Sequence, residues 1–166
     1  MNSAGLPRAA APRSMRERLA TRLAHAAFLL LRPMTLGVRG VAIDAQGRVM
    51  LVRHTYVEGW HFPGGGVEAG ETLVEALTRE VAEEANLVLL GRPLLHGIFF
   101  NGRASRRDHV AVYVVRAFRQ TGPRAADREI LEARFFALDD LPTGTSPATR
   151  ARLAEIFERA AISQRW

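Results

Sequence analysis

Residues 64–87 constrain this chain more than any other segment. Gly64, Gly65 and Gly66 run in succession toward Thr72 and Glu75, a threonine followed three residues on by glutamate. That pair is a capping box, so a helix is expected to begin at Leu73. It should end at Asn86, because asparagine ranks next after glycine for the left-handed residue that stops a helix. On a wheel of about 100° per residue, Leu77, Val81 and Val74 define the core face. With Leu73 at zero, Glu84 falls inside that face at about 20°, and Glu80 and Glu83 follow at about −20° and −80°. Carboxylates spaced i, i+3 and i+4 repel, and acids beside an apolar stripe are costly unless paired, protonated or bound to a cation. A merely solvated acidic face would lie opposite the stripe. A divalent cation would remove the penalty, and ligands that are all carboxylate oxygen suit magnesium or manganese.

Around this helix the pattern is one of short β-like runs. Residues 38–43 and 49–54 flank Asp44-Ala45-Gln46-Gly47-Arg48, a hairpin signal. Trp60-His61-Phe62 is a short extended piece stopped by Pro63 and the glycines. Further apolar runs cover 88–100, 110–118 and 130–138. A second helix is expected behind Ser146 as N-cap and Pro147 at the first position, with Leu153, Ile156, Phe157 and Ala160 on its buried face. Strands around two long helices predict an α/β fold, a mixed sheet sandwiched between helices.

Gly65, Glu71 and then Arg79-Glu80-Val81-Ala82-Glu83-Glu84-Ala85-Asn86-Leu87 resemble the Nudix box, G-x5-E-x7-R-E-U-x-E-E-x-G-U, where U is apolar. Only Asn86 departs from the pattern, standing where the family has glycine. The flanking runs and Phe135-Phe136-Ala137-Leu138-Asp139-Asp140-Leu141-Pro142 are also similar to the family. The resemblance implies an α/β/α sandwich over residues 36–163 and a metal-dependent acid anhydride hydrolase using Mg2+ or Mn2+. It implies that Glu80, Glu83 and Glu84 ligate metal, joined by the backbone carbonyl of Gly64. Arg79 would orient these acids, and Glu71 would support the loop and Arg79. Water would attack phosphorus in a diphosphate linkage, within a nucleoside diphosphate joined to another group.

Residues outside the box bear on the substrate. Arg53 and His54, where a strand runs toward the glycines, are candidates for binding phosphate, the alternative being a solvent-facing strand end. Arg103, Arg106 and Arg107 lie in the polar connection 101–109, which is placed to meet substrate and could clamp a polyanion. Trp60 could stack on a base, although a core aromatic fits it better. His61 and His109 lack zinc spacing. The general base is left open among Glu132, Glu129 and Asp108. Some Nudix subclasses carry a proline or tyrosine beyond the box. Gly102-Arg103-Ala104-Ser105 supplies neither, which weakens an ADP-ribose or diadenosine polyphosphate assignment.

Composition closes several routes. With no cysteine there is no disulfide, thiolate zinc site or cysteine nucleophile, and all 23 basic residues are arginine, so Schiff-base and P-loop lysines are absent. A reducing, cytoplasmic setting fits. Residues 1–32 hold Arg8, Arg13, Arg16, Arg18, Arg22 and Arg32 against Glu17, which is +5 of the formal +6. Such a tail on a near-neutral body argues against a nucleic-acid groove across the domain, and so against a 5′-end pyrophosphohydrolase acting on RNA. Residues 1–13 read as a disordered basic lead and 14–32 as an amphipathic helix. That helix would dock on the domain or on a homodimer partner, with a membrane-surface helix and a transit peptide as the alternatives. A ligand sensor without catalysis would be expected to have lost the three glutamates.

Overall fold

The computed structural model describes residues 33–166, together with Met15. The expected helix at 14–32 and the lead at 1–13 lie outside the described residues.

Among the described residues seven strands and two α-helices follow one another: β1 (Thr35–Ala42), β2 (Val49–His54), α1 (Leu73–Ala85), β3 (Leu87–Leu89), β4 (Leu94–Phe100), β5 (Asp108–Val115), β6 (Phe118–Gln120), β7 (Ile130–Phe136) and α2 (Pro147–Phe157), with a short 3-10 turn at Leu138–Asp140 before α2. Strand β5 is central to a mixed sheet, parallel to β1 on one side and antiparallel to β4 on the other. Strands β2 and β7 pair antiparallel, as do β3 and β6.

Alternation along these strands divides the core into two layers. Val38 and Ala42 of β1, Met50 of β2, and Ala111, Tyr113 and Val115 of β5 face α1 and meet its Ala76, Leu77, Val81 and Ala85. Val41, Ile43, Val49, Leu51, Val110 and Val112 point the other way, onto Trp60, Phe62, Phe99, Phe136 and Leu153 of α2. Period-two alternation with both faces apolar is what a strand buried between helices requires. The expected α/β fold is thus present, with two helices and with the strands in three sheets rather than the single mixed sheet expected.

Both helix starts follow the sequence expectation. The Thr72 hydroxyl accepts from Glu75 N and the Glu75 carboxylate accepts from Thr72 N, while Ser146 Oγ accepts from Thr149 N ahead of Pro147. Asn86 takes the left-handed conformation with φ 54° and ends α1. Its side-chain amide donates to the carbonyls of Gly122 and Pro123, which ties the helix end to the loop before β7.

Several expectations are corrected. Val74, placed on the core face, is 39% exposed although Val81 and Ala85 on the same side of the helix are fully buried, because it stands in the first turn, ahead of the stretch from Ala76 onward that packs on the sheet. The turn at 44–48 forms, closed by Asp44 carboxylate bonds to Gln46 N and Arg48 N, but β1 and β2 meet only at Ile43 and Val49 before diverging to different partners. The run at 88–100 is two strands, interrupted where Pro93 can donate no ladder hydrogen bond. The run at 110–118 is likewise divided at Arg116 and Ala117. Helix α2 stops at Phe157, leaving Ala160 exposed, and its buried face carries Arg152 and Glu155 beside Leu153.

Candidate active site

The glycines let one backbone segment wrap the edge of β1. Gly40 N donates to Pro63 O, Val38 N to Gly65 O and Val67 N to Leu36 O, so residues 63–67 lie along that edge. At Gly64, φ is 143° and an added Cβ would come within 2.1 Å of Val38 O. At Gly65 a Cβ would meet Glu80 Oε1 at 2.4 Å. Side chains are excluded at both positions by backbone on one side and by a helix carboxylate on the other. That exclusion is why Gly64 and Gly65 are glycine, whereas at Gly66 a side chain would meet open space.

On the α1 side of this segment stand the acids. Arg79 reaches Glu71 through two bonds, Nε to Oε1 at 2.9 Å and Nη2 to Oε2 at 3.1 Å. It also donates to Glu80 Oε1 at 2.8 Å, to Glu83 Oε2 at 3.5 Å and to Gly66 O at 3.2 Å. Glu71 Oε2 further accepts from Glu68 N, and these bonds hold its carboxyl well below the usual range, at about 2. One guanidinium therefore fixes the loop and two helix acids together, as a fork with five donors can.

Glu84 differs from the others. Its Oε2 accepts from Gly64 N at 2.8 Å, but no cation neutralises it at contact distance among the described residues. His54 Nε2 stands 3.6 Å from Oε1, too far for a hydrogen bond, and burial together with Arg39 and His61 pushes the imidazole down to about 4. At neutral pH that histidine is uncharged. Burial pushes the Glu84 carboxyl up to about 7, against the Gly64 N–H and the Arg39 charge, with Glu80 and Glu129 adding to the rise. His54 Nδ1 is buried without a partner in the same place. Glu83 lies at the rim with its side chain 61% exposed.

These residues fit a cation by chemistry rather than by ready geometry. Among the described residues no three acids or histidines already converge on one point. The available donors are all oxygen, and one of them is a half-buried carboxylate with no cation at contact distance among the described residues. A hard divalent ion supplies what that set lacks.

Arg39 was missed by the sequence reading. It lies in β1, donates to Phe62 O at 3.0 Å, and is near enough to Glu84 and Glu80 to feel both charges, although burial lowers its own pKa. The available signal was an arginine in the middle of an apolar strand.

The other candidates are spread around this centre. His54 is buried beside Glu84, whereas Arg53 is exposed, paired with Glu132 at 3.3 Å, and set over the Trp60 ring at 5.5 Å. Trp60 is a core residue. Glu132 is also held by Arg134 at 3.1 Å, while Glu129 is exposed and near enough to Glu84 to raise its pKa. Arg124 donates to the Glu83 carbonyl and to Asp127, setting the loop before β7 against the end of α1. Arg103, Arg106 and Arg107 are exposed in the 101–107 turn.

Asp108 is on the other side of the glycine segment, in a cleft of about 260 Å³ bordered by Thr35, Arg39, Gly65, Asn101 and Trp166. Its Oδ1 accepts from the Thr35 hydroxyl at 2.7 Å and its Oδ2 from Asn101 Nδ2 at 2.8 Å. Arg39 and Gly65 are common to the cleft and the acid cluster, so the two are neighbouring parts of one site.

Comparison with known proteins agrees with this arrangement. The NUDIX domain model matches residues 33–159. An ADP-ribose pyrophosphatase of Methanocaldococcus jannaschii is 32% identical over 117 residues, covering 69% of this chain and 68% of that protein. The 8-oxo-dGDP phosphatase NUDT18 of Homo sapiens is 35% identical over 114 residues, 64% of this chain, and the match spans only 33% of its length. The crystal structure of a MutT NUDIX hydrolase from Burkholderia pseudomallei superposes with a TM-score of 0.63 at 28% identity, covering 74% of this chain and 97% of that one.

Proposed function

This chain belongs to the NUDIX domain family, and from that premise we propose that it hydrolyses the phosphoanhydride of a nucleoside diphosphate joined to another group. It is a Nudix-type pyrophosphohydrolase. The observation that carries the reading is Glu84, a half-buried carboxylate that accepts from Gly64 N and has no cation at contact distance among the described residues. Glu80, Glu83 and Glu84, with the Gly64 carbonyl, would hold magnesium or manganese. When bound, the ion would polarise phosphate oxygens and lower the pKa of water.

The remaining steps belong to the chain. Arg79, anchored on Glu71, keeps Glu80 and Glu83 oriented as charge builds on the phosphates. Arg39 contributes fixed positive charge at the junction between the acids and the cleft. Glu129 is the preferred general base, because Glu132 is occupied by two arginines and Asp108 by Thr35 and Asn101. It would take the proton of the attacking water and leave two phosphorylated products.

The substrate class rests on the relatives' names, ADP-ribose and 8-oxo-dGDP, both of which contain a nucleoside diphosphate. The first brings back a substrate that residues 102–105 had disfavoured. Testing requires a panel of nucleoside diphosphate derivatives with Mg2+ and Mn2+, comparing the parent with Glu83→Gln and Glu129→Gln. Metal-dependent release of phosphorylated products, reduced at least about a hundredfold in Glu83→Gln, is expected. No turnover across the panel, or an equally active Glu83→Gln, rejects the reading.

A further inference from the structure

The connection from β6 to β7, residues 121–129, has no regular secondary structure, yet it is bonded at several points to the end of α1. Thr121 N donates to Asn86 O at 3.0 Å, and Asn86 Nδ2 donates in return to the carbonyls of Gly122 and Pro123. The next residue reaches the helix itself. Arg124 Nε donates to Glu83 O at 2.6 Å and Nη1 to Ala125 O at 2.6 Å, while Nη2 pairs with Asp127. Glu83 O is one of the last four carbonyls of α1, which have no partner within a helix. Glu83 and Glu84 stand in the last turn, which holds no basic residue, so negative side chains sit at the negative end of the helix dipole. Arg124 brings the cation that the helix lacks from 41 residues away.

Asp127 passes this anchorage on to Glu129. Its Oδ1 accepts from Glu129 N and from Ile130 N, each at 2.8 Å, and its own N donates to Ile130 O at 2.9 Å. The Ile130 N–H, the Arg124 guanidinium and the Glu129 N–H hold the Asp127 carboxyl well below the usual carboxylate range. From the other side, Thr55 N donates to Glu129 O at 2.9 Å and Thr55 Oγ1 to Arg128 O at 2.7 Å. The Glu129 backbone is thus held on both sides, and its carboxylate is left exposed and near enough to Glu84 to raise that residue's pKa. Exposed bonds of this kind add little to global stability, whereas they do set local position.

We propose that Arg124 and Asp127 are positioning residues, a relay that fixes the Glu129 carboxylate relative to Glu83 and Glu84 so that it meets the water attacking phosphorus. The proposal rests on the hydrolase reading and on Glu129 as its general base. The water oxygen bonds to phosphorus, the bridging P–O bond breaks with its electron pair going to the leaving phosphate, and the water proton passes to Glu129. Because the relay starts on the backbone of Glu83, whose side chain would ligate metal, base and ligands share one frame. A base must lie within about 3 Å of the proton it takes, and a misplacement of about 1 Å costs about a hundredfold. Asn86, which stands where the box has glycine, contributes less, since its bonds end before Arg124.

Two measurements on the full chain test the relay. The first is steady-state kinetics at saturating Mg2+ on the nucleoside diphosphate derivative that the parent turns over fastest, ADP-ribose and 8-oxo-dGDP included. Arg124→Ala and Asp127→Ala should each lower kcat at least about tenfold with KM within about threefold, and Arg124→Lys, which keeps a charged donor, should recover part of the loss. In a Glu129→Gln background Arg124→Ala should change kcat by less than about twofold, because the relay acts only through that carboxylate. Asp127→Asn keeps the acceptor for both N–H groups and serves if Arg124→Ala fails to fold; its kcat should fall between the parent and Asp127→Ala. The second is amide hydrogen exchange without metal or substrate. Glu129 and Ile130 N–H should exchange about tenfold faster in Arg124→Ala while the amides of α2 keep their protection. A kcat of Arg124→Ala within about twofold of the parent, an undiminished loss in the Glu129→Gln background, a Glu129→Gln as active as the parent, or unchanged exchange at both amides overturns the proposal. With an active parent and a dead Glu83→Gln, any of these rejects the relay alone. No turnover by the parent rejects the hydrolase reading, and the relay with it.

Discussion

Both helices bury acids against the sheet, and they do so in opposite ways. In α2, Glu155 is surrounded by Arg152, His96 and Ser163 N, and its carboxyl stays below the usual range despite burial. In α1, Glu84 has one backbone N–H, a neutral histidine and only the distant charge of Arg39, and burial raises its carboxyl to about 7. The first arrangement is complete within the protein and fastens residues 163–166, with Arg152 Nη1 donating to Arg165 O. The second is incomplete and adjoins an open rim. Burial of charge alone does not distinguish structure from function; the presence or absence of the compensating partner does.

The widest separation between the two regions should appear in activity. Glu84→Gln is expected to lower kcat at least about a hundredfold with folding retained, because the lost charge is the one a metal needs. Glu155→Gln should leave kcat within a few fold when measured below its melting temperature. A dead Glu155→Gln with an intact fold would break the contrast.

Stability should reverse the ranking. Arg152→Ala removes one partner of a buried pair and should destabilise by about 3–5 kcal/mol in denaturant unfolding. Glu84→Gln in metal-free protein at pH 8 should be neutral or stabilising. Its upper limit is about 3 kcal/mol, the equivalent of lowering a carboxyl from about 7 to its ordinary 4.5.

The pH dependence should carry opposite signs in the two helices. Glu84 has a raised pKa, so its contribution is fully present below about 4.5 and is lost as pH climbs through about 7. Glu155 has a lowered pKa, so its contribution is present above the ordinary carboxylate range and is lost as pH falls through its folded value. Metal-free unfolding free energies of the parent and the two Gln variants between pH 4.5 and 8 measure both slopes. Identical slopes in Glu84→Gln and the parent would remove Glu84 from the account.

The smallest effect concerns Asn86. Asn86→Gly exchanges two side-chain bonds to Gly122 and Pro123 for easier left-handed geometry and should change stability by less than about 1 kcal/mol. Asn86→Ala gains nothing and should cost about 1–2 kcal/mol.

What the sequence made legible was local or periodic. Thr72 with Glu75, Asn86, and Ser146 with Pro147 act within a few residues, so their chemistry is visible in one dimension. The wheel also placed Glu84 on the buried face. It misjudged Val74, because a wheel gives direction but not position along the axis, and Val74 lies in the first turn, ahead of the buried stretch that begins at Ala76. Long-range partners were hidden. Nothing near Arg152 in sequence announces Phe99, and nothing near Asp108 announces Thr35 or Trp166, since each pairing follows from strand order. Arg39 was readable as a misfit in an apolar strand, but its meaning depends on Glu84, which chain folding brings close.

The central claim is that α1 holds an uncompensated acid because an ion completes it. The direct measurement is the melting temperature of metal-free parent, Glu84→Gln and Glu155→Gln at pH 8, each with and without Mn2+. Saturation at about a hundred times Kd stabilises a folded protein by about 2.7 kcal/mol, so the parent and Glu155→Gln should each rise by several degrees. Glu84→Gln should rise by much less. An equal Mn2+ shift in all three, or none in the parent, would contradict the account.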